Sequence, residues 1–178
     1  YFEVEKDPNR AFVVDVNEML HIHVLGTKFN VQSYKDEVET KIALTDGSIL
    51  ITDVAGTDIQ CHMQVQDEFI YNRETKAYQL RSNPDISNQI AWIHNEFIFK
   101  DTPMVEVFKQ LSHHFNVDIV IQDALIQNYK FTGKFKNKRL DHILDYIKAT
   151  SPIRIQQEDL QSEQHAYLEQ EKIYIYNN

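Results

Sequence analysis

The residues able to do chemistry in this chain are few and scattered. His21 and His23 stand two apart in an alternating stretch, so on a strand both would point to one side and offer two imidazoles to a metal ion. A closed site needs a third and usually a fourth ligand. Cys61–His62 could supply one only if the fold brings it near. Two solvated histidines on the polar face of a strand is the simpler reading. His113–His114 close an amphipathic stretch and suit the negative end of a helix better than a catalytic pair. The carboxylate pairs Asp36–Glu37 and Asp67–Glu68 read as turn and surface residues, whereas a glycosidase needs two carboxylates facing each other across a cleft. Tyr129, Phe131 and Phe135 could be drawn as a sugar platform. That face, however, alternates with lysines and has helices to cover, so core packing is expected. No G-x-S-x-G, H-E-x-x-H, glycine-rich phosphate loop or EF-hand pattern occurs. The expectation is a protein without catalytic residues, metal or cofactor, and not an enzyme.

The bulk composition points the same way. The 178 residues are 42% hydrophobic and 11% aromatic, as in a folded protein of one domain or two small ones. With 27 acidic against 18 basic residues the formal net charge is -9, a field that repels polyanions and argues against nucleic acid as partner. One local basic run, Lys134, Lys136, Lys138 and Arg139, reads as a solvated strand edge and loop. The one cysteine, Cys61, permits no intrachain disulfide and no Cys-based metal cage. No apolar run approaches the roughly 20 residues that span a bilayer, and no signal peptide is visible. The sequence opens at Tyr1 inside a β-like pattern (Tyr1, Phe2, Val4), so the expectation is a fragment.

These residues must be held by two different kinds of scaffold. Up to about residue 82 apolar and polar residues alternate in short runs: Phe12, Val14 and Val16; Ile22 and Val24; Phe29 and Val31; Val38, Thr40, Ile42 and Leu44. Period-two alternation predicts half-buried strands, and Asp7-Pro8-Asn9, Gly26-Thr27 and Asp46-Gly47 supply the turns between them. The expectation for 1–90 is an all-β domain, sandwich or solenoid-like. A turn-forming cluster, Ser82 to Asn88, precedes a change of period, which places a boundary near residue 90. Beyond it, Met104, Val107, Phe108, Leu111 and Phe115 predict one helix after a Thr102-Pro103 start, and Leu140, Ile143, Leu144 and Ile147 another, stopped by Ser151-Pro152. Strands are predicted around Phe97–Phe99, Val117–Ile121, Tyr129–Phe135, Ile153–Ile155 and Ile173–Ile175. The second domain, 91–178, is therefore expected as β-α-β-β-α-β-β, two helices covering one face of a small mixed sheet. The Gln- and Glu-rich stretch Gln156–Glu171 fits a hairpin extension, a short helix or a loop.

Two groups of motifs resemble a known family. Y-F-E-V-E-K-D at 1–7, A-F-V-V at 11–14, H-V-L-G-T-K-F-N-V-Q-S-Y at 23–34 and D-G-S-I-L-I at 46–51 are similar, in order and spacing, to signatures of the FecR anti-sigma regulators of Gram-negative bacteria, in the form common among Bacteroidetes. A-W-I-H-N-E-F-I-F-K-D-T-P-M at 91–104 and F-T-G-K-F at 131–135 resemble the small domain that follows in that group, itself similar to the secretin and TonB short N-terminal (STN) domain. Two departures stand out. Val65-Gln66-Asp67-Glu68 replaces a usual Pro-Gly-Glu turn, so that corner is expected to be built differently, and the Gln156–Glu171 stretch is longer than expected. The motifs name a scaffold and no active site.

The resemblance implies the periplasmic region of an inner-membrane protein, with further strands, one membrane helix and a cytoplasmic sigma-binding segment upstream. It implies that the C-terminal domain receives the signalling domain of a TonB-dependent outer-membrane receptor, and that this docking, with proteolysis, activates an extracytoplasmic-function (ECF) sigma factor. Docking by edge-strand addition is expected, because main-chain pairing needs no special side chains. The terminal strand Lys172, Ile173, Tyr174, Ile175 and Tyr176 is the expected edge. Two other functions stay open: a plug-like or ring-forming domain of a secretin or TonB transport system, and a carbohydrate-binding β module.

Overall fold

In a computed structural model residues 1–157 and 171–178 are described, and they fall into two compact units, Tyr1–Ile90 and Ala91–Asn178. The undecided Gln156–Glu171 stretch lies mostly outside the described residues.

The first unit is built from nine strands: β1 (Phe2–Glu3), β2 (Phe12–Val16), β3 (Leu20–Val24), β4 (Lys28–Gln32), β5 (Glu39–Asp46), β6 (Ile49–Asp53), β7 (Gln60–Met63), β8 (Asp67–Asn72) and β9 (Tyr78–Ser82). They form two antiparallel sheets, ordered β1-β4-β5-β8-β9 and β2-β3-β6-β7. Successive hairpins go alternately to one sheet and the other, which makes a roll with two walls. The sandwich and solenoid-like expectations thus meet in one object. Alternation explains the shared core. Leu20, Ile22 and Val24 from one wall meet Phe29, Ile42, Leu44 and Phe69 from the other, all buried, and each such side chain contributes roughly 1.5–3 kcal/mol.

Gly26 joins the walls. Its φ is +136°, and the chain from Val4 to Asp7 passes so close that a Cβ on Gly26 would lie 2.4 Å from Lys6 Cα. Three backbone bonds fix that approach: Val4 N to Thr27 O at 3.0 Å, Thr27 N to Val4 O at 3.1 Å and Asp7 N to Leu25 O at 2.9 Å. The corner that departs from Pro-Gly-Glu is a turn in which Gln66 holds φ at +70°. Asp67 closes it by accepting from Gln64 N at 2.8 Å. The left-handed position survives there without glycine, at a cost of about 1 kcal/mol.

A short helix α1 (Ser87–Ala91) runs across the unit boundary. The second unit then follows as β10 (Glu96–Pro103), α2 (Met104–Phe115), β11 (Asp118–Ile121), β12 (Lys130–Lys136), α3 (Leu140–Thr150), β13 (Ile153–Gln157) and β14 (Lys172–Asn177). Order and type follow the periodicity of the sequence, but the strands do not form one mixed sheet. β10 and β12 pair antiparallel as a two-stranded ribbon, and β11, β14 and β13 form a separate sheet in that order. Alternation marks which face of a strand is buried and leaves its neighbour unspecified. Each helix touches both sheets, so one core takes Phe97, Phe99, Phe131 and Phe135 from the ribbon, Val107, Phe108, Ile143 and Ile147 from the helices, and Ile153, Ile173 and Ile175 from the other sheet.

Thr102-Pro103 is not the start expected for α2. β10 continues through Pro103, helical geometry begins at Met104, and Met104 N bonds Tyr129 O at 2.8 Å. Thr102 Oγ1 instead accepts from Lys100 N at 3.0 Å, within a β-bulge where Asp101 has φ of +51°.

Candidate functional site

His21 and His23 lie on the outer face of the four-stranded wall, between buried Leu20, Ile22 and Val24. Their rings are 6.0 Å apart, edge to face. His21 Nε2 is 3.3 Å from Asp15 Oδ2, and His23 Nε2 is 3.2 Å from Thr52 Oγ1. Cys61 points into the core, and burial pushes its thiol pKa up. His62 stands opposite Leu50, whose other neighbour is His23, so the two imidazoles are separated by a strand. Among the described residues no three His, Cys, Asp or Glu side chains converge as a metal set.

Asp36 and Glu37 lie in the turn between β4 and β5, but Asp67 and Glu68 are not surface residues. Both belong to β8 and are buried. Glu68 points away from Phe69 and Tyr71 to the other face of its sheet, which the segment after β9 covers. Gln89 Nε2 donates to Glu68 Oε1, Asn30 Nδ2 donates to Gln89 O at 2.9 Å, and Arg81 comes within 3.5 Å of Glu68 Oε2. A carboxylate removed from water needs such donors. It is a structural clasp inside the first unit, and nothing in the spacing of the sequence signals it.

His113 and His114 both fall in the last turn of α2, the negative end of the helix, but His114 is packed there rather than exposed as a charge. Its ring packs 4.8 Å from Phe97 and 4.8 Å from Phe115, and burial lowers its pKa. A neutral imidazole adds no charge to the helix terminus. The end of α2 is closed instead by Asn116 in left-handed geometry, its N–H bonded to Ser112 O. The lowered pKa has a consequence for stability. Below about pH 6.5 an unfolded chain, with its imidazole at about 6.5, takes up a proton more readily than the folded unit, whose His114 is lowered by burial. The contribution of neutral His114 is therefore complete above about pH 6.5 and is lost as pH falls through the depressed native value. His114→Phe should flatten the fall in melting temperature between about pH 7.5 and 5.5; equal slopes for both proteins would refute this account.

Tyr129, Phe131 and Phe135 form no exposed platform. The two phenylalanines are buried and parallel, 6.1 Å apart, and Tyr129 Oη donates to Asn177 Oδ1 at 2.7 Å. Gly133 lies between them because a Cβ there would be 2.7 Å from the Phe131 ring. That close cover accounts for F-T-G-K-F: the aromatic ring shields a glycine that has no side chain of its own to bury.

The expected docking edge, Lys172, Ile173, Tyr174, Ile175 and Tyr176, is not an edge. β14 is the middle strand, parallel to β11 (Ile119↔Ile173) on one side and antiparallel to β13 (Ile155↔Ile175) on the other. Ile173 and Ile175 are fully buried. Two apolar residues in alternation mark a strand, and a nearly all-β-forming run such as Lys172–Tyr176 suits a central position. The strand with an open edge and a distinctive surface is β12. Among the described residues it pairs with β10 alone, and Lys130, Thr132, Lys134 and Lys136 are all exposed on it. Lys134 reaches Glu96 at 2.8 Å, which holds that carboxyl below its ordinary pKa, and Lys130 reaches Asp101 at 2.7 Å. Lys100, Lys136 and Lys138 make no salt bridge among the described residues.

Residues 96–162 match the family model described as FecR, C-terminal. Two crystal structures from Parabacteroides distasonis, each provisionally described as of an anti-sigma factor, superpose with TM-scores of 0.71 at 21% identity. The alignments cover 99% of this chain and 76% and 75% of those chains. At that identity the likeness is one of fold. No curated protein matches the sequence.

Proposed function

We propose, for a chain whose residues 96–162 match the FecR C-terminal family model, that it is the sensing part of an anti-sigma regulator and acts by binding proteins rather than by transforming a substrate. The observation that carries this reading is the coincidence of that match with the ribbon, α2, β11 and α3, the elements that close the core of the second unit. The side chains the motifs specify are consumed in packing: Phe97, Phe99, Phe131 and Phe135 touch one another and the helices. What remains for function is surface.

In this reading the protein works in the periplasm. Its second unit receives the signalling domain of a TonB-dependent outer-membrane receptor, and occupancy is relayed to an ECF sigma factor. The exposed lysines of β12 and its open edge support a protein partner. Titration of the purified chain with the signalling domain of the receptor encoded beside it is expected to give saturable binding at or below tens of micromolar, roughly 6–7 kcal/mol. A flat titration with both proteins folded would reject the receptor as partner.

A further inference from the structure

We propose that the partner adds an extended segment to the free edge of β12, and that this segment alternates acidic with apolar residues. The inference rests on the reading of the second unit as a protein-docking module and names the strand and the chemistry of its partner.

Three observations select β12. Among the described residues the ribbon has two open edges, but that of β10 is broken by the bulge at Lys100–Asp101 and ends in Pro103, which has no N–H to donate. β12 is regular over Lys130–Lys136 and, among the described residues, carries its main-chain groups unpaired on one side. In the three-stranded sheet β14 is enclosed and offers no edge, and the outer strands β11 and β13 carry no row of lysines.

The two faces of β12 define the partner. Lys130, Lys134 and Lys136 stand on the outer face, continued by Lys138 and Arg139. Six of the 18 Lys and Arg residues, counting Lys100, fall in this region of a chain whose net charge is -9; Lys130, Lys134 and Arg139 pair with Asp101, Glu96 and Asp141, while Lys100, Lys136 and Lys138 make no salt bridge among the described residues. Phe131 and Phe135 stand on the inner face, at the margin of the core. A strand laid alongside would set its outward side chains beside ammonium groups and its inward ones beside phenyl rings. Carboxylates on one side and aliphatic residues on the other satisfy both. The same lysines oppose a second copy of β12, since edge lysines repel a like strand. The edge is therefore closed to self-association and open to an acidic partner.

The test uses the full chain and a short blocked peptide of alternating glutamate and valine, with its glutamine-for-glutamate counterpart as control. Amide hydrogen exchange and chemical-shift changes are read across the second unit. Binding of the glutamate peptide should slow exchange at alternate amides of residues 130–136, weaken with added salt, and be at least about tenfold weaker for the glutamine peptide. Lys130→Glu/Lys136→Glu should abolish the effect, and Lys130→Gln/Lys136→Gln should reduce it; unchanged exchange in β14 shows that each variant is folded. Equal binding of both peptides, or protection elsewhere with none in β12, overturns the proposal. So does full binding by the glutamate variant. The outcome is separable from that of the receptor titration. A receptor domain that binds without protecting β12 sinks the edge and leaves the function standing; a peptide that protects β12 when the receptor domain does not bind does the reverse.

Discussion

Gly26→Ala should destabilise the first unit by about 3 kcal/mol or more, among the largest losses any single methyl group could cause in this protein. The added carbon would lie 2.4 Å from Lys6 Cα and 2.7 Å from Lys6 Cβ, at a φ of +136°. Neither conflict has a soft solution. The neighbour is main chain rather than the end of a flexible side chain, so Val4–Asp7 would have to withdraw from Thr27 and Leu25 and give up the three backbone bonds between them. The stacking of Phe2 on Phe29, 4.9 Å between ring centres, depends on the same approach. Gly56→Ala is the matched control. Its φ is +70°, but nothing lies within 4 Å of the new carbon, so only the backbone term of about 1 kcal/mol applies. Denaturant titrations of both variants, with hydrogen exchange at β3, β4 and β5, measure the difference. Equal losses for the two glycines would show that no close approach exists at Gly26.

Phe131→Ala should cost the second unit about 3–5 kcal/mol. The ring is buried, lies 6.0 Å from Phe99, 6.1 Å from Phe135 and 6.4 Å from Tyr146, and covers the bare backbone of Gly133. Removing it opens a void and uncovers that backbone together. Gly133→Ala is expected to destabilise by about 1–3 kcal/mol, because the methyl group strikes a ring with little room to turn. The double variant gives the sharper result. With the ring gone, the new methyl group enters the space it left, so the combined loss should fall short of the sum by roughly 1 kcal/mol or more. Additive losses would mean that ring and glycine do not share that space.

The parts of the fold legible in the sequence are those set by neighbours along the chain. Ile42 and Leu44, or Phe97 and Phe99, declare a buried face by spacing alone, and Met104, Val107, Phe108 and Leu111 declare a helix. Pairing is different, because it joins residues far apart. Nothing in Lys172–Tyr176 says that Asp118–Ile121 will lie beside it, and so a central strand could be taken for an edge. Asp67 and Glu68 mislead for a related reason. A carboxylate is expected outside unless donors await it, and those that Glu68 meets, on Gln89 and Arg81, come from elsewhere in the chain. His114 looks like a helix-end charge until Phe97 arrives from another element. The lysines of β12 were visible as a basic run; what gives them meaning is the open edge beneath them, a property of the sheet.

The central place of β14 also sets an order of events. β11 and β13 do not pair with each other; β14 joins them, and its partner β11 lies more than 50 residues earlier in the chain. During synthesis from the N-terminal end, α2 and α3 can form as they emerge, while this sheet must wait for residues 172–177. Such a distant closure is slow relative to helix formation, and until it occurs the apolar sides of β11 and β13 have no strand to bridge them. The second unit therefore matures late and as a whole, which exposes it to chaperones and proteases for longer than its helical content alone would suggest.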